Sequence, residues 1–484
     1  MKQFNILLII LDAVRADHLS CYGYHRGTTP FIDRIASEGG LYKNAISASC
    51  WTLESLASIF TGLLPNRHGA DWASQQVDNS IEVISEYFKN KGYRTFCLSN
   101  NDCFLNEETG LTKGFDYFHN IKYLFYPNKN LTPAKRTLNN LYQKIFYTRY
   151  KFDLNISESS LLRKIYKKYF LGRFYMGSAE TNYRLKKLIN SCVMDKSPFF
   201  GTVLYIDAHL PYRPPQKFIE KFVKNNSYKN RLKNINFNTK KYLAGKIEMT
   251  DDDFFFLKCL YDAEISYMDS KIGEIYGFLK NRGILDSTML IITSDHGENI
   301  GEHFLMDHRY CLYDTVLKVP LIIRFPDVFR ANVVVDNIVQ TTDIFPTLLQ
   351  LLQNNSSLSP RTFDGVSLFD RPVVKENCAY AEYLYPQPVS EDDENYSLLK
   401  KYLHSIKAIR DLTYKYILFS DNSELLFNIF EDVNEKNNII EKNRHVALQM
   451  KDKLIKKTGD FRKTRFNLHL QNDYKERLRT LGYM

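Results

Sequence analysis

Short, unbroken apolar runs, each ending in a residue that can do chemistry, constrain this chain more than any other feature. Asn5–Leu11 reads N-I-L-L-I-I-L and stops at Asp12. Phe199–Ile206 runs into Asp207-Ala208-His209, and Thr288–Thr293 into Ser294-Asp295-His296-Gly297. Apolar runs of this length without polar alternation are strands buried on both faces, which implies a parallel sheet covered by helices on either side. Ligands bind such sheets outside the carboxyl ends of the strands. Asn5–Leu11 follows Lys2, as the core of a signal peptide would. Asp12, Arg15, Asp17 and His18 follow at once, with no small-residue cleavage site, so the strand reading is preferred.

Helical patterns alternate with the strands. Thr29-Pro30 supplies a helix start, and the pattern through Ile35 stops at Gly39-Gly40. Ile81–Asn90, Asp252–Arg282 and Asp343–Leu352 carry helical periodicity, while Thr95–Leu98 and Val319–Arg324 add strands. After about Gln353 the texture changes. Asn354–Pro360 reads as a linker. Ala379–Tyr385, Ser405–Arg410, Tyr414–Phe419 and Leu425–Phe430 read as short antiparallel strands, with a turn at Asp421-Asn422. The expected fold class is α/β: a large, mainly parallel sheet flanked by helices, with a smaller C-terminal antiparallel sheet. The expected division is a catalytic domain over 1–353, a subdomain over 354–440 and a charged helical tail over 441–484.

Composition excludes several classes. With 44% apolar and 25% charged residues the chain is not disordered, and it has no run of about 18 apolar residues that would cross a membrane. Eight scattered cysteines form no C-x-x-C pair, which argues against a zinc ribbon or a disulfide framework and for a reduced, cytoplasmic protein. The net charge of +10 is localised. Residues 121–176 hold twelve basic and two acidic residues, so the rest of the chain is neutral. Charge confined to one insertion, without a recognition module, argues against nucleic-acid binding. Within the insertion, Ser159–Phe170 sorts Leu161, Leu162, Ile165, Tyr166, Tyr169 and Phe170 from Arg163, Lys164, Lys167 and Lys168 at helical spacing. Such a helix either packs on the core as a lid or makes peripheral contact with an anionic membrane or acidic glycan.

Four constellations carry chemistry. Asp12 at a strand end is either a cation ligand or the cap of the next turn. Asp295-His296 offers one oxygen and one nitrogen ligand, and Glu298, Glu302, His303 and His308 follow in the same stretch. Thr52 precedes the helical run Leu56–Phe60 and its Thr61-Gly62 stop, and is either a helix cap or a nucleophile seated at a helix N-terminus. His209 either holds its own loop or donates to an oxyanion or leaving group.

These pieces stand in the order and spacing of one family. The N-terminal stretch "NILLIILDAVRADHLSCYGY", "SCWTLESLASIFTGLLPNRHGA", "IDAHLPYRPP", "IITSDHGENIGEHFLMDHRYCLYDTVLKVPLIIR", "TTDIFPTLL", "FDGVSLF" and the closing "LRTLGYM" resemble the sulfatase family of the alkaline phosphatase superfamily. The resemblance implies a metal-assisted attack on the sulfur or phosphorus of an ester by a nucleophile at a helix start, through a covalent intermediate. Counting back from Thr61-Gly62, it places the nucleophile at Thr52 and the metal ligands at Asp12, Thr52, Asp295 and His296. It makes His209 and His308 substrate-contacting or leaving-group residues, with Arg309 beside them and Asn100 where the family has a sulfate-gripping lysine.

Three departures from the family pattern matter. Sulfatases carry a Cys or Ser, converted to formylglycine, inside Cys-x-Pro-x-Arg. Here Thr52 is followed by Leu53, Glu54, Ser55 and Leu56, and a threonine cannot become formylglycine. Cys50 lies close but shifts the spacing by two. Ala13 replaces a second aspartate and His296 a late asparagine, which moves the single divalent cation from Ca2+ or Mg2+ toward Mn2+ or Zn2+. Asn100 in place of lysine lowers the positive charge around the leaving oxyanion. The chain is thus similar to the threonine branch of the superfamily, which implies a phosphate- or sulfate-ester hydrolase that favours phosphoryl chemistry. The rivals are a phosphoethanolamine- or phosphoglycerol-type transferase acting on a glycan or lipid, and a non-catalytic binding protein of the same fold. Co-sedimentation with anionic liposomes over a salt series tests the insertion. Binding at low salt that is lost when Lys164, Lys167 and Lys168 become Gln is the outcome expected of a membrane contact, at about 1 kcal/mol per basic residue.

Overall fold

The computed structural model describes residues 4–101, 103–121, 177–224, 228–352, 363–370, 377–389 and 393–461. The Ser159–Phe170 helix, the 354–360 linker and the closing LRTLGYM block lie outside the described residues.

The large sheet contains β1 (Asn5–Leu11), β2 (Gly40–Ile46), β3 (Arg94–Ser99), β4 (Tyr117–Asn120), β5 (Phe199–Tyr205), β6 (Thr288–Ser294), β7 (Lys318–Val319), β8 (Leu321–Arg324) and β9 (Val333–Gln340). Its order is β9-β2-β8-β6-β1-β5-β3-β4, with β7 pairing to β2. β1 is central and parallel to both β5 and β6. Its alternate residues serve two cores, as the unbroken apolar run requires. Ile6, Leu8 and Ile10 face one layer with helix α2 (Thr52–Thr61), while Leu7, Ile9 and Leu11 face the other with helix α1 (Pro30–Ser37). Helices α3 (Ile84–Asn90), α4 (Gly177–Met194), α5 (Asp251–Asn281) and α6 (Ile344–Leu352) complete the two layers.

Several boundaries differ from the sequence expectation. α3 starts at Ile84, not Ile81, because the Glu86 carboxylate takes the Val83 N–H at 3.0 Å and fixes the N-terminus there. α5 starts at Asp251, where Thr250 and Asp253 form a reciprocal capping box. Val319–Arg324, expected as one strand, is two. Pro320 has no N–H to continue the ladder, so β7 pairs with β2 while β8 inserts antiparallel between β2 and β6. The strands β2 and β9, parallel to one another, were hidden in the sequence by the polar pairs Lys43-Asn44 and Asp336-Asn337 in their middles. α4 was hidden too, since its sequence is dominated by polar residues.

The smaller sheet is β10 (Ala379–Tyr383), β11 (Ile406–Arg410), β12 (Tyr414–Phe419) and β13 (Glu424–Asn428), antiparallel in chain order, with helix α7 (Arg444–Thr458) packed on one face. Among the described residues no helix is long and apolar enough to cross a membrane. All eight cysteines are free thiols.

Buried ion pairs brace the small sheet internally and tie it to the large one. Lys407, 1% exposed, lies 3.2 Å from Glu382 and donates to the carbonyls of Thr458 and Gly459. Glu382 in turn accepts the Asn66 N–H at 2.9 Å. Asp314 receives both Arg410 and Lys415, and Lys415 also meets Glu435. Removing one partner strands a buried charge, so Lys407→Ala should cost about 3–5 kcal/mol in denaturant unfolding. The double variant Lys407→Met/Glu382→Gln should recover a large part of that loss.

Candidate functional site

Adjacent strands β6, β1, β5 and β3 run parallel and deliver side chains to one edge. Asp12 follows β1, Asp295 and His296 follow β6, His209 lies in the loop after β5, and Asn100 and Asn101 follow β3. β2 reaches the same edge and leads through Ser47–Trp51 into α2, whose first residue is Thr52.

Asp12, Asp295 and His296 converge, with one ligand atom from each within 4.8 Å of the others. His296 Nε2 lies 3.8 Å from Asp12 Oδ1, 3.4 Å from Asp295 Oδ2 and 3.0 Å from Thr52 Oγ1. All four residues are fully buried. Of the two readings of Thr52 open in the sequence, the helix cap does not hold. The cap position is Trp51, which makes no side-chain cap bond, and the Thr52 hydroxyl turns across the sheet edge to the imidazole instead. Nor is Thr52 exposed, as a cap would be.

Backbone geometry fixes the two carboxylates. Ala13 adopts a left-handed conformation, φ 63°, that costs a residue with a Cβ about 1 kcal/mol. It is held by its N–H to Asp295 Oδ1 at 3.2 Å, by Val14 N–H to Ser294 Oγ at 3.0 Å and by Tyr261 O–H to the Ala13 carbonyl at 2.6 Å. Where the family has a second aspartate, this chain thus turns a peptide N–H toward the other carboxylate. Gly297 is required by space, since a Cβ there would sit 2.2 Å from the Thr315 carbonyl oxygen.

The three histidines share one arrangement. Nδ1 of His296, His308 and His209 contacts the carbonyls of Gly297 (2.9 Å), Cys50 (2.7 Å) and Leu210 (2.7 Å). A carbonyl only accepts, so each Nδ1 carries the proton and donates it. Each ring therefore directs its Nε2 away from its own Nδ1 contact. His308 stacks on His296 with ring centroids 4.0 Å apart, and its Nε2 lies 3.3 Å from that of His209.

The remaining sequence candidates sit further out. Asn100 accepts the Thr181 hydroxyl at 2.9 Å. Its neighbour Asn101 makes the contact with the metal-type cluster, donating to Asp12 Oδ2 at 3.2 Å. Asn101 was missed, and the signal was the Ser-Asn-Asn-Asp run at the end of β3. Arg309 pairs with Asp307 and donates to Gln387 at 2.8 Å and Thr239 at 2.5 Å, which ties three chain segments together beside the histidines.

Electrostatics suit a cation. Asp12 Oδ1 and Asp295 Oδ2 are buried without a hydrogen-bond partner. Burial, and then the neighbouring Asp295 charge, push Asp12 up to about 6. Burial pushes Asp295 up to about 7, against the backbone N–H groups of His296 and Ala13 that favour its ionised form. Burial holds the His296 imidazole below its usual range, and His308 well below it. Two orphaned carboxylate oxygens, the His296 Nε2 and the Thr52 hydroxyl form an oxygen-nitrogen donor set of the kind that holds a divalent cation.

Comparison with known proteins gives the family. A sequence model of the Sulfatase family matches residues 4–354, and one for the C-terminal part of N-sulphoglucosamine sulphohydrolase matches residues 301–460. An arylsulfatase of Clostridium perfringens is 25% identical, covering 90% of each chain. An uncharacterised sulfatase of Escherichia coli is 24% identical over 93% of this chain and 86% of its own. The crystal structure of a phosphonate monoester hydrolase of Agrobacterium radiobacter superposes with a TM-score of 0.68 at 20% identity, covering 94% of this chain and 95% of that one.

The raised carboxyl pKa values give a signed pH dependence. Unfolded, both groups titrate near 3.8; folded, they hold protons up to about 6 and 7. Without metal, their ionisation opposes folding, so that part of the stability is present at low pH and is lost as pH rises through 6 to 7. A cation must displace those protons, so its affinity should climb as pH rises from 5 to 7 and level off above. Calorimetric titration with Mn2+ and Zn2+ at pH 5.5, 6.5 and 7.5 checks this, and the metal-induced rise in melting temperature should grow in the same order.

Proposed function

This chain belongs to the sulfatase family and is a sulfatase-like hydrolase of ester bonds, and we propose that it works through Thr52 as nucleophile on phosphate or sulfate esters, with phosphoryl chemistry preferred. The observation that carries the reading is the Thr52 hydroxyl at the start of α2, 3.0 Å from His296 Nε2 and beside Asp12 and Asp295. Threonine is a secondary alcohol, so the formylglycine that resolves a sulfated intermediate is out of reach. A phosphorylated threonine, by contrast, is resolved by direct attack of water on phosphorus.

Asp12, Asp295, His296 and Thr52 would hold the divalent cation, which supplies a lowered hydroxyl pKa and a counter-charge for the ester oxygens. The N-terminus of α2 adds its peptide N–H groups to the anion site. Thr52 Oγ1 gives up its proton to solvent and forms a bond to phosphorus, and the ester P–O bond opposite it breaks. Each of His209 and His308 commits Nδ1 to a carbonyl, so one proton between their Nε2 atoms makes the 3.3 Å contact a hydrogen bond. In our reading that proton passes to the leaving oxygen. Water then attacks phosphorus and returns a proton to the histidine pair, the Oγ1–P bond breaks, and Thr52 takes a proton back from solvent as phosphate departs. Sugar-linked esters are the preferred substrates, on the strength of the match to the C-terminal part of N-sulphoglucosamine sulphohydrolase.

The test is turnover of phosphomonoester, phosphodiester and sulfate-ester substrates by the metal-loaded protein. Thr52→Ala should lose at least about 10³-fold in kcat on the best substrate, and Thr52→Ser should retain measurable turnover. Rapid quench and intact-mass analysis should show one added phosphate on Thr52. Full activity in Thr52→Ala sinks the nucleophile assignment, and faster turnover of sulfate esters reverses the phosphoryl preference.

A further inference from the structure

Thr52 and His296 lie 244 residues apart in sequence, yet their side chains must meet within a hydrogen bond. A side-chain link joins the turn Ser47–Trp51 that carries Thr52 to the β6 edge that carries the ligands. Ser47 Oγ donates to the main-chain carbonyl of Asp295 in a short hydrogen bond. The same oxygen lies 2.8 Å from the Ser49 carbonyl and 3.1 Å from Ser55 Oγ. Ser55, on the first turn of α2, gives its own proton to the Ser49 carbonyl at 2.8 Å. Ser47 has a single proton and two carbonyls in reach, so the Ser55 donation frees it for Asp295.

A second brace holds the other side of the turn. Ser49 Oγ donates to Glu54 Oε2 and accepts the Trp51 N–H at 3.2 Å, and Glu54 Oε1 accepts the Leu384 N–H at 3.4 Å. Ser47, Ser49, Glu54 and Ser55 are all fully buried. Glu54 and Leu56 stand where the family signature has Pro and Arg, residues that would stiffen such a turn and reach the nucleophile. The hydroxyl braces take up the first of those tasks.

We propose that Ser47 is a positioning residue for the reaction, setting the distance between Thr52 Oγ1 and the Asp12–Asp295–His296 cluster through the Asp295 carbonyl, with Ser55 and the Ser49–Glu54 pair as its supports. This deepens the reading of Thr52 as nucleophile and rests on it. Ser47 touches neither substrate nor the reacting atoms. Its effect is on alignment, where a shift of about 1 Å costs on the order of 10²-fold in rate.

The experiment compares Ser47→Ala, Ser47→Cys and Ser55→Ala with wild type and Thr52→Ala, each loaded with the same metal. Readouts are kcat, KM, Mn2+ affinity and melting temperature. Ser47→Ala is expected to lose about 10- to 100-fold in kcat with KM within threefold, and to bind Mn2+ more weakly because the Asp295 main chain is released. Ser47→Cys, a similar shape with a weak donor, should fall between it and wild type. Ser55→Ala should lose less than Ser47→Ala. A Ser47→Ala protein with lowered melting temperature but wild-type kcat and Mn2+ affinity overturns the proposal, because that is the signature of a merely structural hydrogen bond. If Ser47→Ala does not fold, an unchanged kcat in Ser47→Cys and Ser55→Ala overturns it equally. Activity surviving in Thr52→Ala defeats the nucleophile reading instead, so the two failures are told apart.

Discussion

Two carboxylates buried side by side at the edge of a sheet are costly, and the arrangement around them accommodates that cost. Asp12 and Asp295 each keep an oxygen with no hydrogen-bond partner, and burial raises both toward neutrality. Sheet register brings them together, because β1 and β6 are hydrogen-bonded neighbours that end in step, Leu11 opposite Ser294. Once the strands pair, the acids have nowhere else to go. Ala13 in its left-handed turn, Asn101 and the Ser294 hydroxyl then satisfy the remaining atoms around them. A cation that neutralises the pair supplies what the protein leaves unmet, and the hydroxyl of Thr52 is held where that charge would act on it.

The surroundings protect the arrangement from its own flexibility. The three histidines are each clamped through Nδ1 to a main-chain carbonyl, His296 and His209 to the next residue of their own loops and His308 to Cys50, so their Nε2 edges are set by main-chain positions. The imidazole stack of His296 on His308 adds packing to that restraint. Arg309 ties its loop to Thr239 and Gln387, which are remote in sequence. Rigid elements and main-chain atoms do the aligning, which suits a reaction limited by geometry.

Much of this was legible from residues alone, for definite reasons. β1, β5 and β6 announced themselves because central parallel strands have no polar face to confuse the pattern. Asp12, Asp295 and His296 were legible because chemistry sits at strand ends. Thr52 was ambiguous in sequence, since a hydroxyl at a helix start reads as a cap unless one knows that an imidazole stands across from it. Asn101 was passed over for Asn100 because two adjacent asparagines point opposite ways and spacing alone does not choose between them. The broken strand at Pro320 and the edge strand β9 were lost to local composition. The serine braces were invisible, since Ser47, Ser49 and Ser55 look like ordinary turn residues until Asp295 is folded against them.

The attachment of the small sheet reaches into the nucleophile turn. Glu382 N–H bonds the Ala48 carbonyl, and Leu384 N–H bonds Glu54, so the seat of Thr52 is finished by residues more than three hundred positions later. During synthesis the chain emerges in order, and its first large layer can begin to collapse well before these partners exist. A nascent chain therefore carries Thr52 in an unfinished turn until residues 382–384 have emerged.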